Sequence, residues 1–133
     1  MFRYLDHTAD IAFEVWGKSF EELIENASYA FYNAFVHLDK IKEKEKKEIE
    51  VHGEEIDIVL YRWLNELLFL FDTEFFAAKN VKVYAENLKV RGELIGSRFT
   101  RELVRVEPKA ITMHKFRVEK RDDEYYAFIV VDI

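Results

Sequence analysis

The residues best suited to chemistry stand near the two ends of the 133-residue chain. The stretch "LDHTADIAFEVWG" places Asp6, His7 and Asp10 directly ahead of an apolar alternation. At the other end, Asp132 and the terminal carboxylate of Ile133 follow the apolar run "FIVV". A carboxylate is costly to bury without a partner. If the first and last predicted strands are neighbours, these carboxylates converge, and such a cluster favours a hard cation with oxygen ligands, such as Ca²⁺ or Mg²⁺.

The same residues also have a plainer interpretation. In it, Asp132 frays into water at the chain end, and Asp10 starts a turn. Thr8 and His7 then cap that turn, and Lys109 is an ordinary exposed lysine at the start of an alternating strand. Spacing alone favours the solvated turn over the metal site.

The remaining polar candidates are weaker. Asp39 follows the first predicted helix, and Asp72 and Glu74 close the second, where solvation is the ordinary state. No two of the four histidines lie three or four residues apart, so a zinc site built from histidine alone is disfavoured. The absence of cysteine excludes disulfides, thiolate metal sites and a cysteine nucleophile. The chain also lacks the GxGxxG, P-loop, HExxH and GxSxG motifs.

The composition is that of an acidic chain, with a formal net charge of -6 and a pI of about 5.3. Nucleic-acid binders are usually basic, so binding of RNA or DNA over a broad face is disfavoured. The most apolar stretch, residues 60–71, contains Arg62, Asn65 and Glu66 and is predicted not to span a membrane. Because "MFRYLDH" lacks the apolar region of a signal peptide, we expect a soluble, cytoplasmic protein. The lack of glutamine and abundance of Glu and Lys resemble thermophile proteins.

The elements that must position these residues follow from apolar periodicity. A strand is predicted over about 10–16, and a helix over about 19–36 begins with Ser19 as N-cap and Glu22 three residues later. The charge run "DKIKEKEKKE" is predicted to be a solvated loop or strand end before a strand in "EIEVHG". "EEIDIVLYRWLNELLFLFDTE" is the second helix, with apolar residues on more than one side.

The second half of the chain is predicted to be mainly strands. "VKVYA" and "KVRGELIG" form a hairpin around Asn87, and "AITMHKFRVEK" and "YYAFIVVDI" are joined by the turn "RDDE". Residues 97–108 fit a short helix or a loop. The last strand is apolar on both faces, which predicts a central place in its sheet. We therefore predict a single α+β domain over residues 1–133, with two helices packed on a mostly antiparallel sheet in the order β-α-β-α-β-β-β-β.

Taken together, several motifs resemble one family. "YLDHTADIAFEVWG" resembles the opening of the archease family, and "WLNELLFLFDTE", "PKAITMH" and the C-terminal "VVDI" match that family in sequence position. The resemblance covers essentially the whole chain. It departs from the family at Pro108 and Met113, where valine and tyrosine are common, but it keeps Lys109.

The resemblance implies an accessory protein and not an enzyme. Archease activates the RtcB-type RNA ligase of tRNA splicing, which uses GTP and Mn²⁺, and promotes its guanylylation and multiple turnover. The family's ligase-activating residues carry over onto Asp10, Lys109 and Asp132. In the family the two aspartates and the C-terminal residue, here Ile133, hold a metal ion. The partner would be the ligase, with tRNA contacted only indirectly.

Two other classes of function remain open. One is a metal-dependent hydrolase that uses the aspartates, with Lys109 stabilising developing negative charge. No general base or nucleophile stands beside the carboxylates in the sequence, which argues against it. The other is a chaperone-like module that serves a tRNA-modifying enzyme.

Overall fold

A computed structural model describes residues 1–5 and 10–133 of the chain. Within them, seven strands and two α-helices follow one another in the order β1 (Phe2–Leu5), β2 (Asp10–Gly17), α1 (Phe20–Phe35), β3 (Glu45–His52), α2 (Ile56–Glu74), β4 (Phe76–Glu86), β5 (Lys89–Arg98), β6 (Ala110–Arg121) and β7 (Glu124–Asp132). Single 3-10 turns at Leu38–Lys40 and Arg101–Leu103 lie in two of the connections.

The strands form two antiparallel sheets. The larger has the order β1-β2-β7-β6 and the smaller the order β3-β5-β4. The predicted α+β class is confirmed, and so is the central place of the last strand, because β7 lies between β2 and β6. Within the described part of the chain, neither helix has the length and apolar character that crossing a membrane requires.

Both ends of helix α1 are defined by capping hydrogen bonds. The hydroxyl of Ser19 accepts a hydrogen bond from the backbone N–H of Glu22 at 3.1 Å, which confirms the predicted N-cap. The helix ends because Val36 turns to an extended conformation, and its N–H donates to the Tyr32 carbonyl at 2.9 Å. Val36 then forms an isolated antiparallel bridge with Val104, which ties the end of α1 to the distant loop before β6.

Both helices contribute to a shared core because each one contacts strands of both sheets. Trp63 of α2 shows how the core is shared, because its side chain is completely buried and contacts both α1 and the smaller sheet. Its indole N–H donates to the hydroxyl of Ser28 at 2.8 Å, and that hydroxyl donates to the Ile24 carbonyl at 2.7 Å. The prediction that α2 is covered on more than one side is thereby confirmed.

The structure extends the predicted strands in three places. A short strand, β1, precedes the first predicted one, and its four residues are too few for periodicity to reveal them. Strand β3 starts inside the charge run because the exposed side of a half-solvated strand accommodates lysine and glutamate. Strand β4 starts at Phe76, directly after the left-handed residue Phe75 that caps α2. Residues 97–108 contain both a 3-10 turn and a loop.

Candidate functional site

The sequence candidates at the two chain ends meet at one end of the larger sheet. Asp10, the first residue of β2, is the direct cross-strand partner of Asp132, the last residue of β7. Because residues opposite each other in an antiparallel pair project from the same face, both carboxylates lie on one side of the sheet. The first and last predicted strands are therefore neighbours, as the convergence of the carboxylates requires.

Lys109 joins the same place from the other side of β7. Its backbone N–H donates to the carbonyl of Asp132 at 2.8 Å, and the next residue, Ala110, is the cross-strand partner of Asp132 in β6. The Lys109 side chain is exposed. Three residues that are far apart in the sequence, Asp10, Lys109 and Asp132, are thus brought together by the pairing of β2, β7 and β6.

The two carboxylates differ in their surroundings. Asp132 is exposed, whereas Asp10 is partly buried and its Oδ1 atom is shielded from solvent. Like charges that stand directly opposite each other destabilise a sheet, so a cation between Asp10 and Asp132 would relieve repulsion.

The donor set also fits a hard cation in its chemistry, because carboxylate oxygens are the ligands that Ca²⁺ and Mg²⁺ prefer. It is small, however: within residues 1–5 and 10–133, no group of three His, Cys, Asp or Glu side chains is placed to hold a metal. Among residues 1–5 and 10–133, the available ligands are two side-chain carboxylates and the carboxylate expected at Ile133. Asp6 and His7 lie outside the described residues, as does Thr8.

A cavity that sequence reasoning missed adjoins Asp10. It has a volume of about 320 Å³ and is bordered by β1, β2, the end of α1 and the loop before β6. Its polar lining comes from Tyr4, Asn33 and Arg105 as well as Asp10. The Tyr4 hydroxyl donates to the Ala30 carbonyl at 2.9 Å, and partial burial raises its pKa, against smaller opposite effects of Asn33 and Arg105. No sequence pattern marked these residues, because they come from three separate segments.

The loop before β6 is fixed at several points. The N–H of Arg105 donates to the Phe35 carbonyl at 2.7 Å, and the N–H of His37 donates to the Leu103 carbonyl at 2.8 Å. Together with the bond from Lys109 to Asp132, these contacts hold residues 103–109 across the end of α1 and the end of β7. The position of the Lys109 backbone is therefore set by long-range contacts.

The weaker candidates lie elsewhere. Asp39 is exposed in the 3-10 turn after α1, and its backbone carbonyl accepts a hydrogen bond from Lys79 at 3.3 Å. Glu74 accepts a bond from Lys47 at 2.6 Å, and Asp72 is exposed at the end of α2. All three lie on the surface, as predicted, and none lies in the cavity beside Asp10.

Comparison with known proteins decides the family. The model of the Archease protein family matches residues 2–133. The chain belongs to the archease family. Protein archease from Archaeoglobus fulgidus is 59% identical over an alignment of 135 positions that covers 99% of this chain and 98% of the relative. Protein archease from Pyrococcus furiosus is 36% identical, with 98% of this chain and 96% of the relative covered. The family resemblance is thereby confirmed.

Solved structures agree with this assignment. The solution structure of Methanobacterium thermoautotrophicum protein 1598 has a TM-score of 0.83 at 30% identity and covers 99% of this chain and 98% of its own. A Thermotoga maritima crystal structure, described as an archease and a possible chaperone, has a TM-score of 0.69 at 25% identity. That comparison covers 97% of this chain and 94% of the other. The two helices on antiparallel sheets are thus the archease fold.

Proposed function

We propose that the protein is a cytoplasmic accessory factor that activates an RtcB-type RNA ligase in tRNA splicing, by promoting GTP-dependent guanylylation and multiple turnover of that enzyme. Membership of the archease family supports the proposal. The observation that carries it is the meeting of Asp10, Asp132 and Lys109 at one end of the sheet, because these are the residues onto which the family's motifs carry over.

Each of these residues has a distinct role in the proposal. Asp10 and Asp132, with the carboxylate of Ile133, would hold a divalent cation, Ca²⁺ or Mg²⁺, that neutralises their charge when it is bound. The backbone of Lys109 is bonded to Asp132 and the residue is exposed, so its ammonium group is accessible to an anionic group of a partner. The net charge of -6 favours a protein partner, with tRNA left to the ligase.

One observation favours a second candidate function. The Thermotoga maritima relative is described as a possible chaperone, which is consistent with a chaperone-like module for a tRNA-modifying enzyme. Such a module would stabilise its client enzyme against unfolding. It would not increase the number of reactions that each molecule of a limiting enzyme carries out. A metal-dependent hydrolase, by contrast, would act without any partner.

The deciding experiment is a ligation assay with limiting ligase, with and without this protein. We expect repeated turnover of the ligase, and a faster build-up of guanylylated ligase, only when the protein is added. The protein alone should neither ligate RNA nor hydrolyse GTP. Robust hydrolysis by the isolated protein would support the hydrolase, and protection of a tRNA-modifying enzyme from heat without ligase stimulation would support the chaperone-like module.

A further inference from the structure

An apolar groove lies at the C-terminal end of α2, and different residues of the 103–109 loop line this groove and the Asp10 cavity. We call it the aromatic groove. It has a volume of about 350 Å³ and its apolar lining is formed by Phe71, Phe75, Phe99 and Val104. The rings of Phe71 and Phe99 lie 4.6 Å apart between centroids, and the ring of Phe75 stands edge-on to Phe99 at 6.2 Å.

Phe75 is an unusual residue for its position. It caps α2 with φ at 54° and ψ at 39°, a left-handed conformation in which glycine or asparagine is usual and a bulky residue is strained. Its carbonyl accepts a hydrogen bond from the Phe99 N–H at 2.8 Å, and its own N–H donates to the Leu70 carbonyl. Its side chain remains 58% exposed. The fold therefore exposes an aromatic ring to solvent at a backbone position where glycine would be less strained.

The groove also carries negative charge. Asp72 and Glu107 line it, and neither makes an ion pair with any other residue that the structure describes. Desolvation by the surrounding groove and the charge of Glu107 raise the pKa of Asp72. Arg101 supplies one positive charge, so the lining retains a net charge of one negative.

These properties are complementary to an arginine side chain. A guanidinium group stacks on aromatic rings and binds carboxylates at the same time, and its aliphatic stem covers apolar surface. A neighbouring apolar residue of the same segment would cover the exposed ring of Phe75. A phosphate or nucleic-acid ligand is disfavoured here because it would meet Asp72 and Glu107.

The groove and the candidate site share one segment of chain. Val104 and Glu107 line the aromatic groove, whereas Arg105 and Val106 line the cavity beside Asp10. Lys109 follows two residues later. The groove and the candidate site are therefore joined by one short segment, residues 104–109.

We propose that the aromatic groove docks an apolar segment of the partner protein that carries an arginine. This inference rests on the proposed function, because the partner is taken to be the RNA ligase. The groove supplies affinity, and the site at Asp10, Lys109 and Asp132 supplies activation. Binding and activation are then separable by mutation.

The experiment measures the dissociation constant of the complex with the ligase and the stimulation at saturating protein. Phe75→Gly removes the ring and relieves the backbone strain, so it keeps the fold while weakening the complex by at least tenfold. The double variant Asp72→Asn/Glu107→Gln removes the groove's carboxylate charge and should weaken binding to a similar extent. Saturating amounts of both variants should restore full stimulation.

Matched controls exist for both changes. Phe69 on α2 is also 58% exposed and lies outside the groove, so Phe69→Ala should bind like the wild type. Glu43→Gln/Glu86→Gln removes two exposed carboxylates elsewhere and should also leave the dissociation constant within twofold. Groove variants that bind the ligase as tightly as these controls overturn the docking proposal alone. A wild-type protein that neither binds nor stimulates the ligase overturns the proposed function and the docking proposal together.

Discussion

At the scale of single residues, substitution of Lys109 should impair function without changing stability. Its side chain is exposed while its backbone N–H is bonded to Asp132, so Lys109→Ala keeps the hydrogen bond and removes only the ammonium group. We expect the unfolding free energy to change by less than about 0.5 kcal/mol, as for most surface substitutions. Stimulation of the ligase should fall sharply, measured as ligated product per ligase molecule.

Lys44 provides the control for this prediction. It is also an exposed lysine whose backbone N–H donates to a carbonyl of a strand, that of Gly96 at 2.9 Å. Lys44→Ala should stimulate the ligase fully. If Lys109→Ala and Lys44→Ala stimulate equally well, Lys109 has no part in activation.

The contact between Tyr126 and Glu14 makes stability depend on pH. The Tyr126 hydroxyl donates to Glu14 at 2.6 Å, and this bond, helped by Arg3, lowers the pKa of Glu14 below its ordinary value of 4.5. A lowered pKa contributes stability that is present above 4.5 and is lost as pH falls through the folded-state value. Tyr126→Phe should therefore cost about 1 kcal/mol at pH 7, and this difference should shrink as pH falls below 4.5.

Chemical denaturation between pH 3 and 7 tests this dependence. Tyr125→Phe is the matched control, because the neighbouring tyrosine is partly buried and its hydroxyl makes no hydrogen bond with the residues described. Its pH profile should follow that of the wild type. A Tyr126→Phe variant with the wild-type profile would contradict the role given to the hydrogen bond.

At this scale the sequence predicts some contacts and not others. The meeting of Asp10 and Asp132 was anticipated only on the condition that the first and last strands are neighbours, a condition that the register of β2 with β7 meets. The bond between Tyr126 and Glu14 could not be anticipated, since it depends on which face of each strand points outward and on the register of β2 with β7. Tyr4, Asn33 and Arg105 were missed because they come from three separate segments of the chain.

At the scale of elements, strand β5 of the smaller sheet packs against the ring of Trp63 so closely that only glycine leaves room at the contact. A Cβ atom at Gly92 in β5 would overlap the ring of Trp63, which is completely buried and hydrogen-bonded to Ser28. Gly92→Ala should therefore destabilise the protein by about 1–3 kcal/mol, as overpacking of a core does. Thermal or denaturant unfolding measures the loss.

Gly53 is the control for this substitution. A Cβ atom there would lie 3.0 Å from a methyl group of the Ile58 side chain, which can move aside. Gly53 is also only partly buried. Gly53→Ala should cost clearly less than Gly92→Ala. Equal losses would show that the cost comes from the glycine backbone and not from Trp63.

Periodicity predicted the elements with a long apolar stripe and missed those without one. Both helices were predicted because their buried positions recur over four or more turns. The residues of β1 form a strand only because β2 supplies a partner, and the charged residues at the start of β3 are held by pairing with β5. The loop of residues 103–109 has no periodicity at all, and its place is set by bonds to Phe35, His37 and Asp132.

At the scale of the whole molecule, the candidate site exists only when the chain is folded. Asp10, Lys109 and Asp132 come from both halves of the sequence and meet through the pairing of β2, β7 and β6. The net charge of the chain can be read from the sequence, but the groove at the end of α2 depends on the packing of Phe71, Phe75 and Phe99. Composition does not reveal such packing.

Because the proposed cation site is assembled by folding, cation binding should raise stability. Ca²⁺ or Mg²⁺ at 100 times its dissociation constant should add about 2.7 kcal/mol to the unfolding free energy of the wild type. Asp132→Asn should abolish most of this gain, and so should a glycine added after Ile133, which converts its carboxylate into an amide. Without cation, Asp132→Asn should be at least as stable as the wild type, because the repulsion with Asp10 is gone.

The measurement is a thermal or denaturant unfolding curve with and without each cation, paired with calorimetric titration. Asp123→Asn, an exposed aspartate in the turn between β6 and β7, is the control and should keep the full cation response. Asp132→Asn should be neutral or stabilising without cation, and destabilising relative to the wild type with cation. This change of sign distinguishes a cation ligand from a residue with a purely structural role. An equal cation response in Asp132→Asn and Asp123→Asn would place the cation away from the two strand ends and leave Asp132 as a solvated terminal residue.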